Sequence, residues 1–231
     1  MRDILLEIIQ KKAPQLGLNG LPELYQMVMH DAKPRFTHGI YLFIEHENNE
    51  ESSFKAAIEL IDKNAAAEIF FVHHGKWAGS PGYGHWQEKL GKFTGPGRIR
   101  PIKMDDIFGV NTLSESIALV RFAYEEKRKS FYLVAPPFHM LRAFMTAASV
   151  AIRHGSEINF FAYPGALQDL NQAVRHSQGK GPFPRWKWFE LELETISNHS
   201  EKNNIPLPSG IIKYESIPTI IDYMQKRELK F

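Results

Sequence analysis

Two residues three positions apart carry the most specific chemistry in this sequence. In Pro136-Pro137-Phe138-His139-Met140-Leu141-Arg142-Ala143, two prolines stop a strand and open a helix, proline being tolerated in a first turn. His139 and Arg142 then share one helix face. An imidazole beside a guanidinium near a positive helix end makes an anion or phosphate clamp. The cation also lowers the histidine pKa and leaves a neutral base. The blander alternative gives Arg142 to an acid such as Glu115 and leaves His139 to cap a loop.

A second cluster lies upstream. Thr112 and Glu115, three apart, read as a capping box that satisfies two orphan backbone donors. Asn111 is then left over, and its amide can hold a ligand or tie loops together. The same helix start offers N–H groups to an anion. Glu45-His46-Glu47 and His73-His74-Gly75 follow two apolar runs and complete the polar inventory. His46, His73, His74 and Glu45 have metal-ligand character. Adjacent strand residues point to opposite faces, however, so only one of His73 and His74 can face a shared site, and no metal is expected.

The elements that must position these residues follow from the apolar pattern. Residues 1–36 read as two helices, with Ile4, Leu5, Ile8 and Ile9, then Leu24, Met27 and Val28, at helical spacing. From Gly39 onward strands and helices alternate: strands at 40–44, 69–72, 98–103, 131–135 and 157–162, helices at 54–62, 85–92, 112–126 and 138–154. The stretch from Gly75 to Gly84 reads as a mobile loop and lacks the glycine order of a dinucleotide fingerprint. Further helices are expected at 186–200 and 217–226. This alternation predicts an α/β Rossmann-like three-layer sandwich with a mainly parallel sheet. It is one unit with an N-terminal helical arm (1–36), a core (37–165) and a C-terminal helical extension (166–231). In such sheets ligands bind outside the carboxyl ends of the strands, where all four polar clusters fall.

Composition narrows the function. The 231 residues include no cysteine, which excludes a thiol nucleophile and Cys-ligated zinc. The formal charge of +2 gives little field for nucleic-acid binding. The longest stretch without Asp, Glu, Lys or Arg, Ser130 to Leu141, is twelve residues, too short to span a bilayer. The sequence therefore reads as soluble and cytoplasmic, with neither nucleic acid nor membrane as a partner. No Gly-x-Ser-x-Gly elbow occurs. The cations and aromatics from Gly179 to Lys187 suit either stacking on a base or a packing loop.

The run Val134 to Ala143, preceded by Asn111-Thr112, resembles the paired signature of the YdcF-like family, which includes SanA-like and ElyC-like proteins. That pattern is an Asn-Thr near a helix start, a strand, then Tyr/Phe-His-Met-x-Arg-Ala. The resemblance covers roughly residues 38–165. It implies a Rossmann-like fold and, for the cytoplasmic members, association with S-adenosylmethionine. Where the family usually shows glycines after the first strand, this chain has Glu45-His46-Glu47. The resulting expectation is a bacterial protein that binds a small anionic or nucleotide-type ligand, with hydrolase or group-transferase chemistry on a phosphorylated or nucleotide-like substrate. His139 and Glu45 are the candidate catalytic residues. Asn111, Thr112, Arg142, His46, His73, Gly75 and Glu115 are the candidate ligand contacts. The rival reading is a non-catalytic ligand-sensing or interaction protein whose polar cluster is structural.

Overall fold

The structure is a computed structural model of the chain, described over residues 2–43, 45–76, 79–104, 109–175, 181–200 and 213–228. Its centre is a five-stranded sheet: β1 (Gly39–Leu42), β2 (Ile69–Val72), β3 (Ile99–Ile102), β4 (Ser130–Val134) and β5 (Asn159–Ala162). The strand order is β3-β2-β1-β4-β5 and every pairing is parallel. The fold is thus a Rossmann-like α/β sandwich. β1, β2 and β4 are buried at every position, which is why they read as unbroken apolar runs. Gly39 opens β1 because the Phe70 and Phe131 rings close over it; a Cβ there would lie 2.4 Å from Phe70.

Alternation along the strands divides the core in two. Ile40, Leu42, Phe71 and Val134 face one layer, made of α3 (Glu50–Asp62) and α4 (Tyr83–Thr94). Tyr41, Phe43, Phe131 and Leu133 face the other, made of α5 (Thr112–Glu125) and α6 (Pro137–Arg153). The N-terminal helices α1 (Arg2–Lys12) and α2 (Leu21–Met29) join that second layer, as do α7 (Arg185–His199) and α8 (Ile217–Glu228). Leu5, Leu24, Leu193 and Ile220 are all fully buried in it, so both terminal segments belong to one core.

Pro101 sits in β3 because that strand is a sheet edge, where a missing N–H costs little. The opposite edge, β5, is closed by side chains. Tyr223 of α8 accepts from the Phe160 N–H (2.8 Å) and donates to the Ile158 carbonyl (2.9 Å), and Asp31 accepts from the Ala162 N–H (2.6 Å). These contacts occupy the groups with which another strand would pair. Two short strands, β6 (Ala173–Val174) and β7 (Phe183–Pro184), pair antiparallel ahead of α7.

Several boundaries differ from the sequence expectation, two helix starts among them by two residues or more. α3 begins at Glu50 and not at Phe54, because its first turn is Glu50-Glu51-Ser52-Ser53, with no apolar residue to mark it. α4 begins at Tyr83, two residues early, directly after Gly82.

Candidate functional site

The strand order reverses between β1 and β4, and the segments that follow them, together with the loop after β2, frame the sheet's carboxyl edge. After β1, Glu45 is buried and its Oε1 accepts from the His46 N–H at 2.9 Å. His46 is also buried; its Nδ1 accepts from the Asn48 N–H at 3.2 Å. The imidazole lies against Gly79, where a Cβ would approach its Cδ2 to 2.1 Å, and Gly79 has φ +84°. Only glycine fits both conditions, so the glycine-rich loop after β2 folds onto His46.

That loop is closed at its base by the Tyr83 N–H, which donates to the His74 carbonyl at 3.0 Å. His73 is exposed and its ring lies 5.0 Å from that of Tyr83; Gly75 is exposed beside it. His74 is half-buried, and burial lowers its pKa. Among the described residues several buried polar atoms here have no hydrogen-bond partner: Ser80 Oγ and Tyr83 Oη around the loop, with Ser53 Oγ and Trp86 Nε1 on the facing helices α3 and α4. The Phe54 and Trp86 rings, 5.2 Å apart, bring those helices together. Buried polar groups are rarely left unsatisfied, so this concentration makes the loop a candidate site.

On the β4 side the expected clamp holds a carboxylate of the chain itself. His139 Nδ1 lies 3.1 Å from Glu192 Oε1, and the Arg142 guanidinium grips both oxygens of Glu192 through Nε and Nη2. All three residues are buried, with His139 only 3% exposed. Burial alone would lower the Arg142 guanidinium, but Glu192 and Tyr214 more than offset it and hold its pKa above the ordinary value. The His139 ring meets Phe43 edge-on at 6.2 Å, which fixes its plane. Arg142 therefore belongs to an internal ion pair, as the blander reading had it, although the acid is Glu192 and not Glu115.

The upstream cluster also resolves differently. Asn111 is itself the N-cap of α5: its side chain accepts from the Leu113 and Ser114 N–H groups, both at 3.0 Å. Ser114 completes the capping box by accepting from the Asn111 N–H. The expected Thr112–Glu115 box is thus displaced by one residue, since the asparagine oxygen reaches the same donors first. Thr112 is buried, and buried Glu115 accepts from Tyr41 Oη at 3.2 Å, beneath β1. The structure thus joins Glu45, His46, His73 and Gly75 around one loop, and His139 with Arg142 around Glu192. It gives Asn111, Thr112 and Glu115 to the start of α5.

Sequence reading missed Glu192, and it placed Arg185 in a segment suited either to base stacking or to packing. Arg185 is buried and donates to Asn49 Oδ1, the Asn48 and Asp169 carbonyls and Gln172 Oε1, tying the loop after β1 to α7. This makes the basic segment before α7 a packing element; residues 176–180 within it lie outside the described ones.

Compared with family models, curated proteins and solved structures, the chain matches none. Among the described residues no group of three or more His, Asp or Glu side chains could hold a metal, and no helix is long and apolar enough to cross a membrane.

Three imidazoles with lowered pKa values set a pH response. Burial lowers the pKa of His38, His74 and His199. The unfolded chain, with histidines near pKa 6.5, therefore binds protons that the fold refuses, so stability rises with pH through that window. Thermal melting should show full stability above about pH 6.5 and a falling midpoint from there towards pH 5. A midpoint that rises on acidification over that range would contradict the assignment.

Proposed function

We propose that this protein binds a small anionic or nucleotide-type ligand at the carboxyl edge of the sheet, under the glycine-rich loop. The observation that carries the reading is the set of buried atoms without a partner among the described residues, Ser80 Oγ, Tyr83 Oη, Ser53 Oγ and Trp86 Nε1, with buried His46 at the ends of β1 and β2. They supply donors and acceptors where doubly wound sheets take their ligands. The resemblance of Asn111-Thr112 and Val134 to Ala143 to the YdcF-like signature makes S-adenosylmethionine the first ligand to test, in a cytoplasmic protein.

Hydrolysis or group transfer on a phosphorylated or nucleotide-like substrate would draw on His139. Glu192 holds its Nδ1, and Nε2 is the atom that would take a proton. A second reading, a ligand sensor without turnover, is favoured by the burial of His139 and Arg142 around an internal carboxylate.

Thermal shift with S-adenosylmethionine, ATP and inorganic phosphate tests the binding. A ligand at about 100 times its Kd adds about 2.7 kcal/mol to stability. Tyr83→Phe and Ser80→Ala remove atoms without a partner among the described residues, so both should leave the unliganded midpoint near wild type and reduce the shift. No shift with any of the three compounds overturns the reading, and an undiminished shift in both variants moves the ligand elsewhere.

A further inference from the structure

At the opposite end of the sheet a groove of about 790 Å³ opens between the carboxyl ends of α5 and α6. Its lining is mostly apolar: Ile117, Val120 and Ala123 from α5 meet Ile158 across the groove. Tyr124 stands at its rim, 83% exposed. Around this floor lie Arg121, Lys127, Arg128, Lys129 and His154, against the single carboxylate of Glu157. The chain as a whole is nearly balanced, with 28 basic and 26 acidic residues, so this sign imbalance is local.

The neighbouring acids face away. Glu126 pairs with Arg100 at 3.7 Å, and Glu125 lines a separate cleft beside β3. Arg121 turns towards that same cleft, its Nη2 donating to the Lys103 carbonyl at 3.3 Å, and Arg128 is occupied by Glu68 at 2.7 Å and stacks on Phe70, which leaves Lys127 and Lys129 as the cations of the rim. Cations at helix carboxyl ends complement the helix dipole, and that alone would account for some of them. It does not account for Lys127. Both helices end in a left-handed residue, and α6 uses Gly155 (φ +59°) where α5 uses Lys127 (φ +55°). A lysine in that conformation is strained where glycine is not, so the fold carries a cation at a position where backbone chemistry prefers none.

We infer that this groove docks an acidic segment of another protein, one that places an apolar side chain between α5 and α6 and its carboxylates against Lys127 and Lys129. Charge complementarity selects the occupant. The cations Lys127, Arg128 and Lys129 follow one another along the turn after α5, so they line one wall of the groove and do not converge on one point. That distribution suits several carboxylates along a chain better than the one head group of an anionic amphiphile. An exposed aromatic beside an apolar floor, rimmed by charge, is the composition of a protein-binding patch.

The test uses the full chain and fluorescence anisotropy with three labelled probes: a peptide alternating Glu and Leu, the same peptide with Gln for Glu, and a fluorescent dodecanoate. The Glu/Leu peptide should bind, weaken with added salt, and outcompete the Gln peptide at least about tenfold. Tyr124→Ala removes an exposed side chain, so the fold should persist while binding falls at least about tenfold. Lys127→Gly separates the two roles of that residue: melting temperature should rise as the strain is relieved, and peptide binding should weaken. Failure of the Glu/Leu peptide to bind at about 1 mM overturns the inference, as does equal binding of the Gln peptide or a Lys127→Gly variant with undiminished affinity. Dodecanoate binding without peptide binding also overturns it, since the groove is then a small-molecule site.

Discussion

Arg227→Met should destabilise the protein by about 3–5 kcal/mol, because it leaves the Asp31 carboxylate buried without its cation. The pair is entirely interior: the Asp31 side chain is 0% exposed and that of Arg227 1%. Arg227 reaches from α8 across the core, its guanidinium 4.5 Å above the Phe161 ring and 5.5 Å from Phe144, and pairs with Asp31 Oδ1. Asp31 in turn holds the Ala162 N–H at the end of β5 and the Ala32 N–H at 2.7 Å. Burial raises the Asp31 pKa despite the guanidinium beside it, the mark of a charge for which desolvation outweighs pairing. Asp31→Asn keeps an oxygen for Ala162 but strands the arginine, so it should cost a similar amount. The double variant Asp31→Asn/Arg227→Met strands nothing, and methionine refills the space between the two rings. It should recover at least about 1 kcal/mol relative to the sum of the single changes. Urea denaturation with a constant m-value reads all three. Single-variant costs below about 1 kcal/mol would mean that water reaches the pair and that α8 is not anchored there.

Asp31 and Arg227 lie 196 positions apart, and nothing local announces either. Asp31 follows a helix as a turn residue would, and Arg227 looks like any basic residue in a last helical turn. The strands, by contrast, were legible because a parallel sheet covered on both faces demands continuous apolar runs. Ile69-Phe70-Phe71-Val72 matches β2 residue for residue. The start of α3 was not legible because its first turn is polar yet buried, packed by tertiary contacts such as that of Ser52 Oγ with the Ala166 carbonyl at 2.7 Å. The site was readable in its location, since strand ends follow from topology, and unreadable in its pairings. One signal was present and unused. On α7, Trp188, Phe189, Leu193 and Ile196 mark the apolar stripe, and Glu192 falls inside it. A carboxylate at that position requires a buried cation, and Arg142, set among apolar residues in α6, was the matching half.

Glu192→Ala should therefore destabilise the protein by about 3–5 kcal/mol, leaving a buried guanidinium with no carboxylate. Arg142→Lys should cost less, about 1–3 kcal/mol, because the charge survives and the fork that grips both Glu192 oxygens does not. Lysine also cannot keep both the Glu192 contact and the hydrogen bond to Tyr214, which itself bonds Thr146 at 3.3 Å. A double-mutant cycle on Arg142→Met and Glu192→Met should then give a coupling of at least about 1 kcal/mol, since removing both charges strands neither. The measurement that decides Arg142's role is ligand binding alongside stability. If Arg142 serves Glu192, Arg142→Lys lowers the urea midpoint and leaves the ligand-induced thermal shift per bound ligand unchanged. If it is the anion ligand that its spacing from His139 suggests, the midpoint stays near wild type and the shift disappears. The geometry predicts the first result. The three groups are buried together, Glu192 already supplies the anion, and a second anion there would have to displace a carboxylate held by both His139 and Arg142.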